Sequence, residues 1–152
     1  MVGGHWIPEL LDLAGGRQEM CAPGCSAARP SWEDICAWAP EKLFIDFCSS
    51  DVARGRREIP WLTGLEGWVE LPAVQKDEVY LLDHVYFSRP GPRIVQGLEI
   101  LAQLTRPVIF SGLIPSDTVV KIDPEMAAGC TPHEIGRCFL PYPCATAELY
   151  VG

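Results

Sequence analysis

Two apolar runs of strand length, each flanked by helical patterns, constrain the fold of this chain more than any other feature. They are KLFIDF at residues 42–47 and EVYLLD at residues 78–83. Runs that are this short and almost wholly apolar are typical of strands covered on both faces. Because helical patterns precede, separate and follow them, the sequence predicts an α/β fold with a mostly parallel sheet.

Several segments carry the sequence signals of helices. HWIPELLDLA, at residues 5–14, has a proline in its first turn and is followed by two glycines. SWEDICAWAP, at residues 31–40, begins with a serine suited to an N-cap and has two acidic residues in its first turn. Residues 92–105 repeat apolar side chains on one face, as a helix packed on a sheet requires. Residues 49–59 are interpreted as a loop and a further helix.

The C-terminal part of the chain shows a weaker pattern. PVIFSGL, at residues 107–113, is a candidate third strand. Beyond it the sequence contains many glycines and prolines and no sustained period. We therefore expect a domain over residues 1–110 and an irregular tail over residues 111–152.

Composition and charge exclude several classes of protein. The chain of 152 residues is 48% hydrophobic, which is enough to build a core. Its formal net charge of −8 argues against a nucleic-acid or anionic-membrane binder. Arg54, Arg56 and Arg57 form one basic cluster, which we expect to be a solvated face. No apolar run reaches the roughly 18 residues of a membrane span, and the N-terminus lacks a secretory signal, so the chain as written is expected in the cytosol.

The seven cysteines raise an alternative, a metal-binding or redox protein. An odd number cannot pair completely, and free, partly buried thiols explain the count without a special function. The paired spacing of a zinc site does not occur twice. The residues that the alternative would use are Cys21, Cys25, Cys130, His133, Cys138 and Cys144. An enzyme is not expected, because the sequence has neither a G-x-S-x-G motif nor a P-loop.

Three blocks of the sequence resemble one protein family. They are GGHWIPELLDLAGG (residues 3–16), SWEDICAWAPEKLFI (residues 31–45) and GWVELPAVQKDEVYLLDHVYFSRPGPRIVQGLEILAQL (residues 67–104). They are similar to the class III substrate-binding proteins of ABC importers, in particular the cobalamin-binding branch and its iron-siderophore relatives. The blocks follow the family's order and spacing over residues 2–107.

The resemblance implies a three-layer, Rossmann-like lobe with a non-catalytic role in binding cobalamin or, alternatively, an iron-siderophore. Members of the family have two such lobes and hold the ligand between them. This sequence resembles the C-terminal lobe alone, so we expect a lobe truncated at its N-terminus, without its first strand. Such a lobe is expected to bind weakly, or to depend on a separate N-terminal lobe.

The resemblance also implies which side chains would hold the ligand. Cobalamin has a broad corrin ring with amide arms, so a protein contacts it with aromatic planes and hydrogen-bond donors. Carried over position by position, the rim of the ligand cleft comprises His5, Trp6, Tyr86, Phe87 and Arg89. Arg89 is the expected donor, because its guanidinium is rigid and always charged. Cobalamin would be a ligand here, and no cofactor or metal is implied.

Each of these residues also has an ordinary structural explanation. Trp6 fits a core position as well as a ligand platform, and His5 fits the start of a helix. Tyr86 and Phe87 alternate on an extended segment, so one of them can point inwards. Arg89 could instead pair with a surface acid. In the loop GCSAARPSW, small residues occupy positions 26–28, where the family often supplies an aromatic residue to its cleft, and Trp32 lies beyond Ser31.

The resemblance suggests partners as well. The family docks onto its membrane permease through an exposed glutamate, and Glu33 matches that position. An acid in the first turn of a helix is also an ordinary partner of the helix dipole. Loss of the first strand would expose a sheet edge, so a homodimer that covers this edge is a further expectation.

Overall fold

The computed structural model describes residues 1–127, 130–131 and 133–142. The chain divides into two compact units. The described part of the helical unit comprises Met1–Ser31 and Val85–Ser116, and the sheet unit comprises Trp32–His84 and Asp117–Tyr142. Each unit has its own packing and its own candidate site.

Helices and strands alternate along most of the described chain. The α-helices are α1 (Ile7–Leu13), α2 (Trp32–Trp38), α3 (Val52–Thr63), α4 (Pro72–Gln75), α5 (Ile94–Thr105) and α6 (Pro124–Ala127). The strands are β1 (Leu43–Ile45), β2 (Val79–Leu82), β3 (Val119–Ile122) and β4 (Phe139–Pro141). Short 3₁₀ turns cover His84–Tyr86 and Ile135–Cys138. Among the described residues no helix is long and apolar enough to cross a membrane.

The four strands of the sheet unit lie in the order β1-β2-β3-β4. β1 and β2 are parallel, whereas β2 with β3 and β3 with β4 are antiparallel. Every residue of β2 is buried, as the apolar run at residues 78–83 predicts. Strand β2 is therefore an interior strand of a mixed sheet.

The apolar core of the sheet unit is built on β2, β3 and β4 and is covered by α3. Its largest fully buried side chains include Phe139, Ile59, Leu71 and Leu81. Helix α3 begins at a true cap, because a carboxylate oxygen of Asp51 accepts a 2.7 Å hydrogen bond from the backbone nitrogen of Arg54. The helix is thus fixed both by its cap and by its buried face.

The helical unit is built on α1 and α5, which pack against each other. Pro8 and Leu10 of α1 are buried, as are Ile100 and Leu104 of α5. On α5, the predicted face is confirmed at the buried Leu101 and Ala102, whereas Val95 of the same predicted face is 59% exposed. The backbone of Gly97 lies against Tyr86 and Phe87, because a β-carbon there would be 2.8 Å from the carbonyl oxygen of Tyr86.

The α/β class is confirmed, but the directions of the strands differ from the expectation. The sheet has one parallel pair and two antiparallel pairs, where a mostly parallel sheet was expected. The reason is that the expected irregular tail supplies β3 and β4, and both run antiparallel to their neighbours. The connections are long, because α5 lies between β2 and β3, and α6 lies between β3 and β4.

The candidate strand at residues 107–113 does not form. The backbone nitrogens of Ile109 and Phe110 both donate to the carbonyl oxygen of Arg106, which closes a turn. Val108 is 98% exposed, so this apolar segment has no sheet to cover it. The position next to β2 is taken by β3, whose Val119 pairs with Leu82.

Candidate ligand-binding site

The segments that precede α1 and α5 lie at the same end of the helical unit. At the C-terminal ends of the two helices, the hydroxyl of Thr105 donates a 2.6 Å hydrogen bond to the carbonyl oxygen of Ala14. At their N-terminal ends, Trp6 and Ile94 line one groove. Because their C-terminal ends are joined and their N-terminal ends line one groove, the two helices run in the same general direction. Ile94 thus brings the start of α5 beside Trp6, whereas Tyr86, Phe87 and Arg89 are not among the residues that line this groove.

His5 and Trp6 form an aromatic pair at the start of α1. Their rings are stacked, with centroids 5.7 Å apart and planes inclined by 29°. His5 is exposed and has a left-handed backbone, with φ of 55°. Its backbone nitrogen donates to the carbonyl oxygen of Cys25, and its own carbonyl oxygen accepts from Gly24. The loop 21–25 therefore holds His5 in a conformation that non-glycine residues seldom adopt.

Trp6 is half-buried and has an unusual polar atom. Its indole Nε1 is buried and has no hydrogen-bond acceptor among the described residues. A buried donor without an acceptor costs about 1–3 kcal/mol. Trp6 also lines the open groove along α1, so it combines an apolar face with an unsatisfied donor.

The groove itself is shallow and partly acidic. It has a volume of ≈ 510 Å³. Its lining consists of Trp6, Glu9, Leu10, Asp12, Leu13 and Ile94. The aromatic and aliphatic side chains offer a flat apolar contact, and the two carboxylates can accept hydrogen bonds from amide groups.

The segment before α5 has one buried and two accessible members of the predicted set. Phe87 is 7% exposed, and its ring lies against Gly97. Tyr86 is half-buried, and its ring meets that of Phe87 edge-on at 6.5 Å. Arg89 is exposed. Phe87 thus anchors the segment, leaving Tyr86 and Arg89 to face outward.

The next question is whether Arg89 pairs with a surface acid, which would explain it without a ligand. Within the described residues, its guanidinium forms no ion pair with an acid. A charged group with five donors therefore remains available on the segment before α5. Whether these side chains contact a ligand stays a prediction.

Gln18 organises the loop that supports His5, and sequence analysis did not find it. Its amide nitrogen donates to the carbonyl oxygens of Gly3, at 3.0 Å, and Cys21, at 3.1 Å. Its amide oxygen accepts from the backbone nitrogens of Met20 and Cys21. One side chain thus ties the segment before α1 to the loop 21–25. No local pattern distinguishes this glutamine from a solvated one.

The remaining candidates lie apart from this set. Glu33 is exposed in the first turn of α2, in the sheet unit, where both docking and dipole roles are compatible with its position. In the described part of the chain, no group of three metal-ligating side chains could hold a metal ion. The thiol of Cys21 contacts the carbonyl oxygen of Ser26 at 3.2 Å, and Cys25 and His133 are exposed. Cys144 lies outside the described residues.

The carboxyl ends of β1 and β2 bring a serine, a histidine and an aspartate together. The Nδ1 atom of His84 lies 3.0 Å from the carbonyl oxygen of Ser50 and 3.4 Å from Oδ1 of Asp83. A hydrolytic triad needs a hydrogen bond between the histidine and the serine hydroxyl. The Ser50 atom that meets His84 here is the backbone carbonyl oxygen, so the contact joins two loops. The expectation that the chain is not an enzyme stays a prediction.

Comparison with known proteins relates part of the chain to a group of binding proteins. No protein-family model matches the chain. The chain is similar to vitamin B12-binding proteins. Those of three strains of Vibrio cholerae serotype O1 are 28% identical to it over 96 residues. The match covers 63% of this chain and 32% of each relative, so it spans about a third of the relatives' length.

Proposed function

We propose that this chain is a non-catalytic ligand-binding module and that its ligand is a corrinoid, with cobalamin as the leading candidate. The observation that carries the proposal is the similarity to vitamin B12-binding proteins over 96 residues. The proposed contact surface is the end of the helical unit where α1 and α5 begin, with Trp6, Tyr86 and Arg89 as its principal side chains. His5 supports Trp6, and Phe87 supports Tyr86.

The chemistry of this end suits a corrinoid. A corrin ring offers a broad apolar face, which aromatic side chains such as Trp6 and Tyr86 can cover. Its amide arms offer carbonyl oxygens, which the guanidinium of Arg89 can bind in a fixed geometry.

The open geometry favours weak binding by the chain alone. A tight small-molecule site buries about 70–90% of its ligand, and one shallow wall buries much less. A second lobe, supplied by another chain, would close the site and raise the affinity. We also propose uptake through an ABC permease, with Glu33 as a docking residue. A homodimer is an alternative source of the second wall of the site.

Isothermal titration calorimetry with cyanocobalamin tests the proposal. We expect saturable binding by the wild type, weakened at least about tenfold by Arg89→Ala, because a hydrogen bond from a charged group contributes about 1.5–3 kcal/mol. Arg17→Ala is the matched control, since Arg17 follows α1 at the other end of the helical unit and pairs with Glu19. It should bind like the wild type.

Two results would count against the proposal. A wild type that is folded by circular dichroism but takes up no cyanocobalamin at millimolar concentration would show that this chain does not bind it. Equal losses in Arg89→Ala and Arg17→Ala would show that any binding lies elsewhere. A ferric siderophore titrated in parallel separates a corrinoid site from the alternative ligand class.

A further inference from the structure

We propose that the sheet unit carries a second binding site, for a small phosphate-type oxyanion, between α3 and the 3₁₀ turn Ile135–Cys138. The site is an open cavity with a volume of ≈ 390 Å³. Its lining consists of Arg56, Arg57, Pro60, His133, Glu134, Gly136 and Arg137. Three arginines and a histidine thus converge on one cavity, in a chain whose net charge is −8. This proposal does not depend on the corrinoid site.

The backbone that carries these arginines is held rigidly. A β-carbon on Gly136 would lie 1.9 Å from the carbonyl oxygen of Arg56, so only glycine permits this approach. On either side, Ile59 of α3 and Cys138 of the turn are both 0% exposed in the core. Arg56 and Arg137 are therefore fixed at their backbones on two elements that touch, and only their side chains can adjust.

The described residues neutralise the positive charge of the cavity only in part, because Glu134 is the one carboxylate in its described lining. Arg54, two residues before Arg56 on α3, pairs with Glu58 at 2.6 Å. The cavity arginines form no ion pair within the described residues. The Nε atom of Arg56 is buried and has no acceptor there. An uncompensated, partly desolvated guanidinium favours the capture of an anion.

The cavity's own carboxylate is already engaged. Glu134 accepts hydrogen bonds from the hydroxyl of Thr131 at 2.7 Å and from its backbone nitrogen at 3.2 Å. These bonds, with a smaller contribution from Arg137, lower the pKa of Glu134. Glu134 stays ionised but is held by Thr131, so it closes the turn and does not pair with the arginines at hydrogen-bond distance.

The geometry points to a compact dianion. Guanidinium groups bind phosphate through two parallel hydrogen bonds each, and two or three of them together match a dianionic phosphate in charge. The volume admits inorganic phosphate or a small phosphomonoester. A long polyanion such as a nucleic acid is disfavoured, because the rest of this acidic chain would repel it.

Titration at constant ionic strength tests the site. Inorganic phosphate and phenyl phosphate are each added to the full chain in a buffer without phosphate, and binding is followed by calorimetry. We expect saturable binding of at least one of them, weakened about tenfold by Arg137→Gln, because a charge-assisted bidentate pair is lost. The ligand that binds more tightly shows whether the site favours the free ion or an organic phosphate.

Matched variants make the outcome specific. Arg54→Gln removes a paired arginine from the same helix and should bind like the wild type. Arg56→Gln should also weaken binding, and its thermal unfolding shows whether this variant folds. If Arg56→Gln does not fold, Arg137→Gln still tests the site, because Arg137 is exposed. The proposal is overturned if sodium chloride at equal ionic strength gives the same heat as phosphate. It is equally overturned if Arg137→Gln and Arg54→Gln both match the wild type.

Discussion

The hydroxyl of Thr105 lies 2.6 Å from the carbonyl oxygen of Ala14 and joins the C-terminal ends of α1 and α5. Carbonyl oxygens of Leu101 and Ala102 are further acceptors near the same hydroxyl, at 2.8 and 3.1 Å. The nearest acceptor is thus the one on the other helix. The contact matters for function because it sets the pairing of two helices whose opposite ends carry the candidate ligand residues.

Thr105→Val removes this link with little change in shape. We expect the free energy of unfolding to fall by about 1–2 kcal/mol, since the carbonyl oxygen of Ala14 loses its donor in a half-buried site. Urea denaturation measures the change. Thr63→Val is the control, because Thr63 donates only to Pro60 within α3, at 3.3 Å. If both variants lose the same amount, the helix pairing does not depend on Thr105.

Glu78 forms the best-connected ion pair of the sheet unit. Its carboxylate accepts from Lys42 at 2.5 Å and from the hydroxyl of Tyr80 at 2.8 Å. Partial burial alone would raise the pKa of Glu78, but the hydrogen bonds from Lys42 and Tyr80 lower it below its ordinary value. The folded state therefore favours the ionised form, and this contribution to stability is present above the ordinary pKa and lost as the pH falls through the lowered one.

Glu78→Gln should lower the free energy of unfolding at pH 7 by about 1–2 kcal/mol, because two hydrogen bonds to a charged group are weakened. The difference in free energy of unfolding from the wild type should shrink as the pH falls below 4.5. In this range Glu78 becomes protonated, first in the unfolded chain and then in the folded one. Glu41→Gln is the control, since the pair of Glu41 with Lys76 is exposed and 3.5 Å long. Such a pair contributes about 0–1 kcal/mol. A pH-independent difference for Glu78→Gln would contradict this assignment.

The left-handed backbone of His5 gives a prediction that distinguishes the effect of its backbone conformation on stability from the effect of its side chain. His5→Gly and His5→Ala both remove the ring, but only glycine adopts a φ of 55° without strain. We expect His5→Gly to be more stable than His5→Ala by about 1 kcal/mol. At Glu9, inside α1, the order should reverse by a similar amount, because glycine disfavours a helix interior by about 1 kcal/mol. Thermal unfolding of the four variants checks both orders.

The local elements could be predicted from the sequence, and the long-range ones could not. Helix α5 and strand β2 were found because their apolar patterns are complete within a few residues. Strands β3 and β4 have four and three residues and depend on pairs such as Ile122 with Phe139. Nothing local distinguishes them from a tail that is rich in breakers.

The same limit applies to the candidate sites. Tyr86 and Phe87 were both predicted as ligand residues, and only the packing of Phe87 on Gly97 shows which one is buried. Arg56 was expected on a solvated face, yet its backbone lies against Gly136 of the segment that was expected to be irregular. The cavity beside α3 thus depends on a contact between residues far apart in the sequence, which no local pattern predicts.

Cys130 and Cys138 form a close thiol pair, with sulfur atoms 2.8 Å apart. Cys138 is 0% exposed, and burial together with the contact to Cys130 raises its pKa to about 12. With oxidised glutathione, we expect the Cys130 thiolate to attack first, and Cys138 then to displace glutathione and form a disulfide. Two protein thiols are oxidised, and one glutathione disulfide is reduced to two thiols.

Peptide mapping by mass spectrometry detects the bond between Cys130 and Cys138. The exposed Cys25 and Cys48 should instead carry glutathione, which shows that the reagent is active. In Cys130→Ser, the buried Cys138 should stay unmodified. Glutathione on Cys138 in that variant would contradict its burial, and an unlinked pair in the oxidised wild type would contradict the proximity of the two sulfurs.

The central claim is that the starts of α1 and α5 form one corrinoid-binding surface, and residue-resolved NMR during a cyanocobalamin titration tests it most directly. We predict that the indole resonance of Trp6 and the amide resonances of the non-proline residues between 86 and 93 shift together and saturate at one concentration. The indole resonance of Trp61, which is 74% exposed in the sheet unit, should not move. Shifts confined to the sheet unit, or none at all in the folded protein, would contradict the claim.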